Sequence, residues 1–195
     1  MPLVHFAALS RRDFAILAVS PSESVSSSIP PLLSDPGCDL MTRVGYWIAV
    51  GFGSGLLRPA PGTWGSVVGL LLAWGLVGLP VAAAVVVWIA LLPLAWWACR
   101  CGERVLQKHD DGRIVIDEII AVPIPAVPLL WAIDRSDPLM AVVASLAAFG
   151  LFRLFDIWKP GPVGWCDRRP GALGVVLDDL AAGLLALLVL VPFLG

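Results

Sequence analysis

Charge is scarce in this sequence. Only 14% of its 195 residues are Asp, Glu, Lys or Arg, where a soluble domain has about 25%. That shortage argues against an ordinary water-soluble fold. The 13 basic and 15 acidic residues leave a net charge of −2, so there is no basic footprint for nucleic acid. Histidine is scarcer still. With two in the chain, and His5 near the start, the sequence argues against a histidine-based triad or zinc cluster. No Gly-x-Ser-x-Gly elbow is present. The four cysteines include no Cys-x-x-Cys, since Cys99 and Cys101 are one residue apart, so buried free thiols are expected. Disorder of the whole chain is excluded by its 58% apolar content and mean hydropathy of +0.88.

What is abundant is apolar sequence, in runs. Residues 59–99 carry no charge. Two spanning helices of about 20 residues would nearly fill them, with Gly78-Leu79-Pro80 as the turn. Three shorter runs follow: Ile119–Ile133, Pro138–Phe152 and Leu180–Gly195. Their helices are expected to extend into polar flanks, to tilt, or to be shielded. The fold class predicted is all-α: a multi-span helical membrane bundle with its polar loops gathered on one side.

Residues 1–40 differ. They hold a serine-rich stretch from Ser20 to Ser28, then Pro30-Pro31, and no sustained periodicity. A disordered leader, or a true start at Met41, is expected. Arg11-Arg12 mimics an export signal, but the apolar stretch after it is too short. Without the leader, 11 acids and 11 bases remain. Of these 22 charges, 19 fall in segments 41–63, 100–118 and 153–179. The other three, Asp134, Arg135 and Asp137, lie in one short turn. Five spans would put all three long segments on one face. Their Lys/Arg excess assigns that face to the cytoplasm, and the protein to the plasma (inner) membrane.

Two acid pairs have the same form, Val115-Ile116-Asp117-Glu118-Ile119 and Val176-Leu177-Asp178-Asp179-Leu180. Each sits where a polar segment enters an apolar run. Carboxylates there can simply complement a helix dipole. Yet ionisable groups in membrane helices are rarely kept without a partner or a function. Hard oxygen ligands of this kind suit Mg²⁺ with a substrate phosphate. Arg153, Asp156 and Lys159 recur at three-residue spacing before Pro160, as either a salt-bridge ladder or a phosphate clamp beside a metal ligand. Gly161–Gly171 reads as a loop carrying Arg168 and Arg169. Gly51–Ser66 is glycine-rich, suited to close approach by an anion, with Thr63 as a candidate helix N-cap. His109-Asp110-Asp111-Gly112 reads as a charged surface turn.

Taken in order, Pro61-Gly62-Thr63, Ile116-Asp117-Glu118, Phe155–Pro160, Asp167-Arg168-Arg169, Gly171–Gly174 and Leu177-Asp178-Asp179 closely resemble the phosphatidylglycerophosphatase A family, over about residues 44–195. Ala121-Val122-Pro123 departs from it, where the family usually has a glycine. The resemblance implies a helical, membrane-bound, Mg²⁺-dependent enzyme that converts phosphatidylglycerophosphate to phosphatidylglycerol. On the matching positions it implies that Asp117, Glu118, Asp178 and Asp179 ligate the metal and, with Asp156, supply a general base. Arg153, Lys159 and Arg168 would hold phosphate, with Thr63 and Ser66 as further donors. The partner implied is a phospholipid in the bilayer. A non-enzymatic membrane protein and a phosphatase of soluble esters remain the rival readings.

Overall fold

A computed structural model describes residues 38–133 and 136–194. Most of the leader and the Asp134-Arg135 turn lie outside them. The described residues form helices and no strand. In chain order these are α1 (Leu40–Ala49), a 3-10 segment (Gly51–Leu56), α2 (Pro61–Val77), α3 (Val81–Leu106), α4 (Ile116–Ala121), α5 (Pro123–Ala132), α6 (Pro138–Trp158), α7 (Pro162–Asp167), α8 (Ala172–Leu190) and a last 3-10 turn (Val191–Phe193).

Five apolar helical stretches thus form where the uncharged runs predict them. Three segments, Val81–Leu106, Pro138–Trp158 and Ala172–Phe193, are long and apolar enough to cross a membrane. The last two do extend into polar flanks, α8 beginning eight residues before its uncharged run. Pro138 begins α6 behind an Asp137 cap, which accepts from Leu139 N at 2.9 Å. The outer faces expose Leu71, Val86, Ile89, Val142, Leu146 and Leu188. In water such a surface would be unstable; against lipid it is solvated. The protein is a helical membrane bundle.

The central stretch, 116–132, is shielded by its neighbours and broken at Val122. Proline causes the break. Pro123 and Pro125 have no N–H, so the carbonyls four residues earlier, Ile119 O and Ala121 O, lose their helical donors. A bare carbonyl is costly away from water. Both instead face glycine. A Cβ on Gly69 of α2 would sit 2.9 Å from Ile119 O, and one on Gly183 of α8 would sit 2.9 Å from Ala121 O. Only a glycine backbone fits, close enough for weak Cα–H···O contact. Next to them, the Trp88 indole N–H of α3 donates to Ile120 O at 2.8 Å.

The polar ends meet on one side. α1 lies across the end of α3, with Gly45 directly against Cys101. It is capped by Asp39, which accepts from Thr42 N at 3.1 Å. Val115 N donates to Ala49 O at 2.9 Å, fastening the start of α4 to α1. In the 107–113 turn His109 and Asp110 are exposed as expected, but Asp111 is buried. Arg113 bonds Asp111 twice through its guanidinium, and these bonds hold the Asp111 carboxyl below the usual range. His109 pairs with Glu103. The four thiols are free, three of them buried, while Cys38 is partly exposed.

Two outcomes check this architecture. Gly183→Leu forces α8 away from Ala121 O, and Trp88→Phe strips Ile120 O of its donor. Trp88→Phe should cost about 1–3 kcal/mol, read as a lower melting temperature in detergent. In a cysteine-free background, Arg58→Cys, Lys108→Cys and Trp165→Cys should label from one membrane side, and Leu79→Cys and Ser136→Cys from the other.

Candidate active site

The two acid pairs end up buried at the polar end of the bundle. Asp117, Asp178 and Asp179 are 5%, 5% and 4% exposed. Asp117 and Glu118 lie in the first turn of α4, whereas Asp178 and Asp179 lie about two turns into α8, where the chain turns from polar to apolar sequence. Ile116 at the head of α4, and Ala172 and Val176 on α8, belong to one core cluster with Val115 and Ile119. The core therefore sets the rotation of both helices and turns the acids inward.

Glu118 faces α2 and α6. Arg153 Nη1 of α6 donates to Glu118 Oε1 at 3.0 Å and to Asp156 Oδ2 at 2.7 Å. Ser66 Oγ of α2 lies 2.9 Å from both Gly62 O and Glu118 Oε2, so its single proton can serve either acceptor. This meeting needs small residues. A Cβ on Gly62 would lie 2.3 Å from Glu118 Oε1, and one on Gly65 would lie 2.6 Å from Val115 Cβ. Asp117 points elsewhere and accepts from Glu118 N at 3.0 Å. Asp179 is within electrostatic reach of Asp117, Asp156, Glu118 and Asp178, and so stands at the middle of the group.

Asp178 faces Lys159. Lys159 Nζ donates to Asp178 Oδ2 at 2.6 Å and also bonds Asp167 of α7. Lys159 takes left-handed backbone, φ 49°, and ends α6 just before Pro160, as the proline predicts. Burial works against its ammonium, yet the bonds to Asp167 and Asp178 more than offset this. Its pKa sits above the ordinary lysine value. The folded state therefore gains from a charged Lys159 at neutral pH and loses this only under strongly alkaline conditions.

Asp117, Glu118, Asp156, Asp178, Asp179, Arg153, Lys159 and Ser66 are thus brought to one place. One expectation changes. Thr63 is not the N-cap of α2: the cap position is Ala60, and Pro61 with its fixed φ starts the helix. Thr63 falls in the first turn, and Ser66, one turn further on, reaches Glu118 instead. Arg168 is exposed at the end of α7, and its neighbour Asp167 makes the contact with Lys159. Gly62, Gly65 and Asp167 are the functional positions that residue chemistry alone passes over. The signal for Asp167 is the short α7 loop, which returns it to Lys159.

The donor set suits a hard divalent cation. Glu118 and Asp156 pair with Arg153, Asp167 and Asp178 pair with Lys159, Asp117 and Asp179 are buried beside them, and Asp178 Oδ1 is buried with no hydrogen-bond partner. Among the described residues, no three acidic, histidine or cysteine groups are yet drawn together closely enough to hold a metal.

The family model described as phosphatidylglycerophosphatase A matches residues 47–194. Phosphatidylglycerophosphatase A of Haemophilus influenzae is 39% identical over 151 residues, covering 74% of this chain and 85% of that protein. The Escherichia coli protein of the same name is 34% identical over 154 residues, covering 75% and 81%. A Bacteroides thetaiotaomicron protein, provisionally named a phosphatidylinositol-3-phosphatase, is 36% identical over 140 residues, covering 70% and 84%. No solved structure matches. The match spans every helix from α2 to α8 and both acid pairs, and the chain belongs to the phosphatidylglycerophosphatase A family, phosphatases of the phosphoric monoester class.

Proposed function

We propose that the protein is a Mg²⁺-dependent lipid phosphatase that removes the terminal phosphate of phosphatidylglycerophosphate, at the cytoplasmic face of the plasma membrane. The observation that carries this reading is the charge imbalance at the polar end. Six carboxylates, Asp117, Glu118, Asp156, Asp167, Asp178 and Asp179, gather with two cations at the polar end of an apolar bundle. Such an excess of buried negative charge is neutralised by protons or by a further cation, and oxygen donors in this number suit a divalent metal. The family supports the phosphatase chemistry and the lipid head group. The Lys/Arg bias of the same end supports the cytoplasmic side.

Asp117, Glu118, Asp178 and Asp179 would hold Mg²⁺, which would polarise the phosphoryl oxygens and lower the pKa of a bound water. The chain's own residues do the rest. Arg153 and Lys159 present guanidinium and ammonium donors to the phosphate, with their carboxylate partners keeping both side chains aimed. Ser66 holds Glu118 in place. Asp156, shared with Arg153, is positioned as the base that takes a proton from the attacking water. The apolar helices keep the diacylglycerol in the bilayer while the head group reaches the rim. Asp117 and Glu118 start α4, Arg153 and Asp156 lie in the last turns of α6, and Asp178, about two turns into α8, is drawn to the same end by Lys159, which separates this arrangement from the midplane site of a transporter.

The test is phosphate release by the purified protein. Phosphatidylglycerophosphate should be hydrolysed far faster than soluble phosphomonoesters or a phosphoinositide. Preference for a soluble ester or for the phosphoinositide would overturn the substrate assignment. Asp117→Asn, Asp156→Asn and Asp178→Asn should each lower the rate roughly 100-fold or more while the protein still inserts. Ser66→Ala, which removes only a supporting bond, should cost about tenfold. Wild-type rates in all three Asn variants would refute the site.

A further inference from the structure

An apolar groove of about 340 Å³ opens on the flank of the bundle, between α3, α5 and α8. Val85 and Trp88 line it from α3, Ile124 and Trp131 from α5, and Leu180 and Leu184 from α8. No charged side chain lines it. Its volume lies within the range of small-ligand sites, about 300–1,000 Å³.

Its position is what gives it a meaning. The helical stretches that carry the two acid pairs are the ones that continue into the groove. Leu180 follows Asp179 directly, and Pro123, also in the lining, lies five residues beyond Glu118. From Ile124 the lining runs along α5 to Trp131, roughly 10 Å at the helical rise and away from the polar end. The proline break at Val122 contributes to the space, because Pro123 and Pro128 replace bulkier side chains on this face. The wall is also stiff. Trp88 is tied to Ile120 O, and the Trp131 indole N–H donates to Val77 O at 3.4 Å.

We propose that this groove seats one acyl chain of the phospholipid substrate, an inference that rests on the lipid-phosphatase reading above. A phosphate held by Arg153 and Lys159 leaves the glycerol backbone at the polar rim. The groove's lining runs from Pro123 and Leu180 to Leu76 and Ala84 beside the 78–80 turn, so it would take the lower part of a chain that descends from the polar end. Bulk lipid could lie against any outer face of the bundle. This recess is set apart because two of its three walls, α5 and α8, continue the helical stretches that carry the acids. Seating a chain here draws the substrate from the bilayer in one orientation, with its head group toward the carboxylates. The groove thereby discriminates lipid from soluble head group through binding rather than through the chemical step.

The test uses the full-length protein in mixed micelles. Val85→Trp and Leu184→Trp fill the groove from two helices, at positions that face outward and carry little of the core packing. Two substrates are compared: long-chain phosphatidylglycerophosphate, and the same head group freed of its acyl chains. Both variants should raise KM for the lipid about tenfold or more. Both should leave kcat on the lipid, and turnover of the deacylated head group, at the wild-type level. Wild-type KM for the lipid in both variants would overturn the groove assignment. So would equal losses on the two substrates, which would mark a general structural defect. A wild-type protein that frees no phosphate from the lipid would instead sink the phosphatase reading itself.

Discussion

The structure turns on one electrostatic constraint. Carboxylates have been placed in the first turn of α4 and about two turns into α8, where water is scarce and uncompensated charge is costly. Arg153 answers it on one side by binding Glu118 and Asp156 together. Lys159 answers it on the other by joining Asp178 to Asp167. These two cations link α4, α6, α7 and α8 at the polar end. Removing either would leave buried acids unpaired, which is the expensive way to break an ion pair. Two cations for six acids still leave a deficit, and that deficit is the basis for assigning a divalent cation to the site.

Close backbone packing is what makes the arrangement possible. Gly62 and Gly65 let α2 approach Glu118, and Gly69 and Gly183 lie on the carbonyls that the prolines of α5 expose. The broken central helix therefore serves two purposes. It delivers Asp117 and Glu118 to the rim, and its proline-rich continuation leaves the apolar recess beside α3 and α8. Polar chemistry and lipid contact are built on the same elements, one at the end of each helix and one along its flank.

Much of this is legible in the residues. Uncharged runs longer than a soluble helix can hide predict the spans, and the gathering of 19 charges into three segments predicts that they meet. The acid pairs stand out because apolar sequence surrounds them. What is not legible depends on how one helix is rotated against another. Whether Thr63 or Ser66 reaches Glu118 is decided by the phase at which Pro61 starts α2, which no local pattern encodes. The break at Val122 is concealed in a run that is apolar throughout. Lys159 has three acids within reach along the chain, and only the return of α7 selects Asp167, with Asp178, over Asp156.

The central claim is that the carboxylate group at the polar end works as a metal-dependent phosphate site. It is tested most directly by stripping the purified protein of metal and titrating Mg²⁺ back while phosphate release from phosphatidylglycerophosphate is followed. The account predicts no release without metal, saturable recovery with it, and no recovery in Asp178→Asn. Full activity in excess chelator would contradict it.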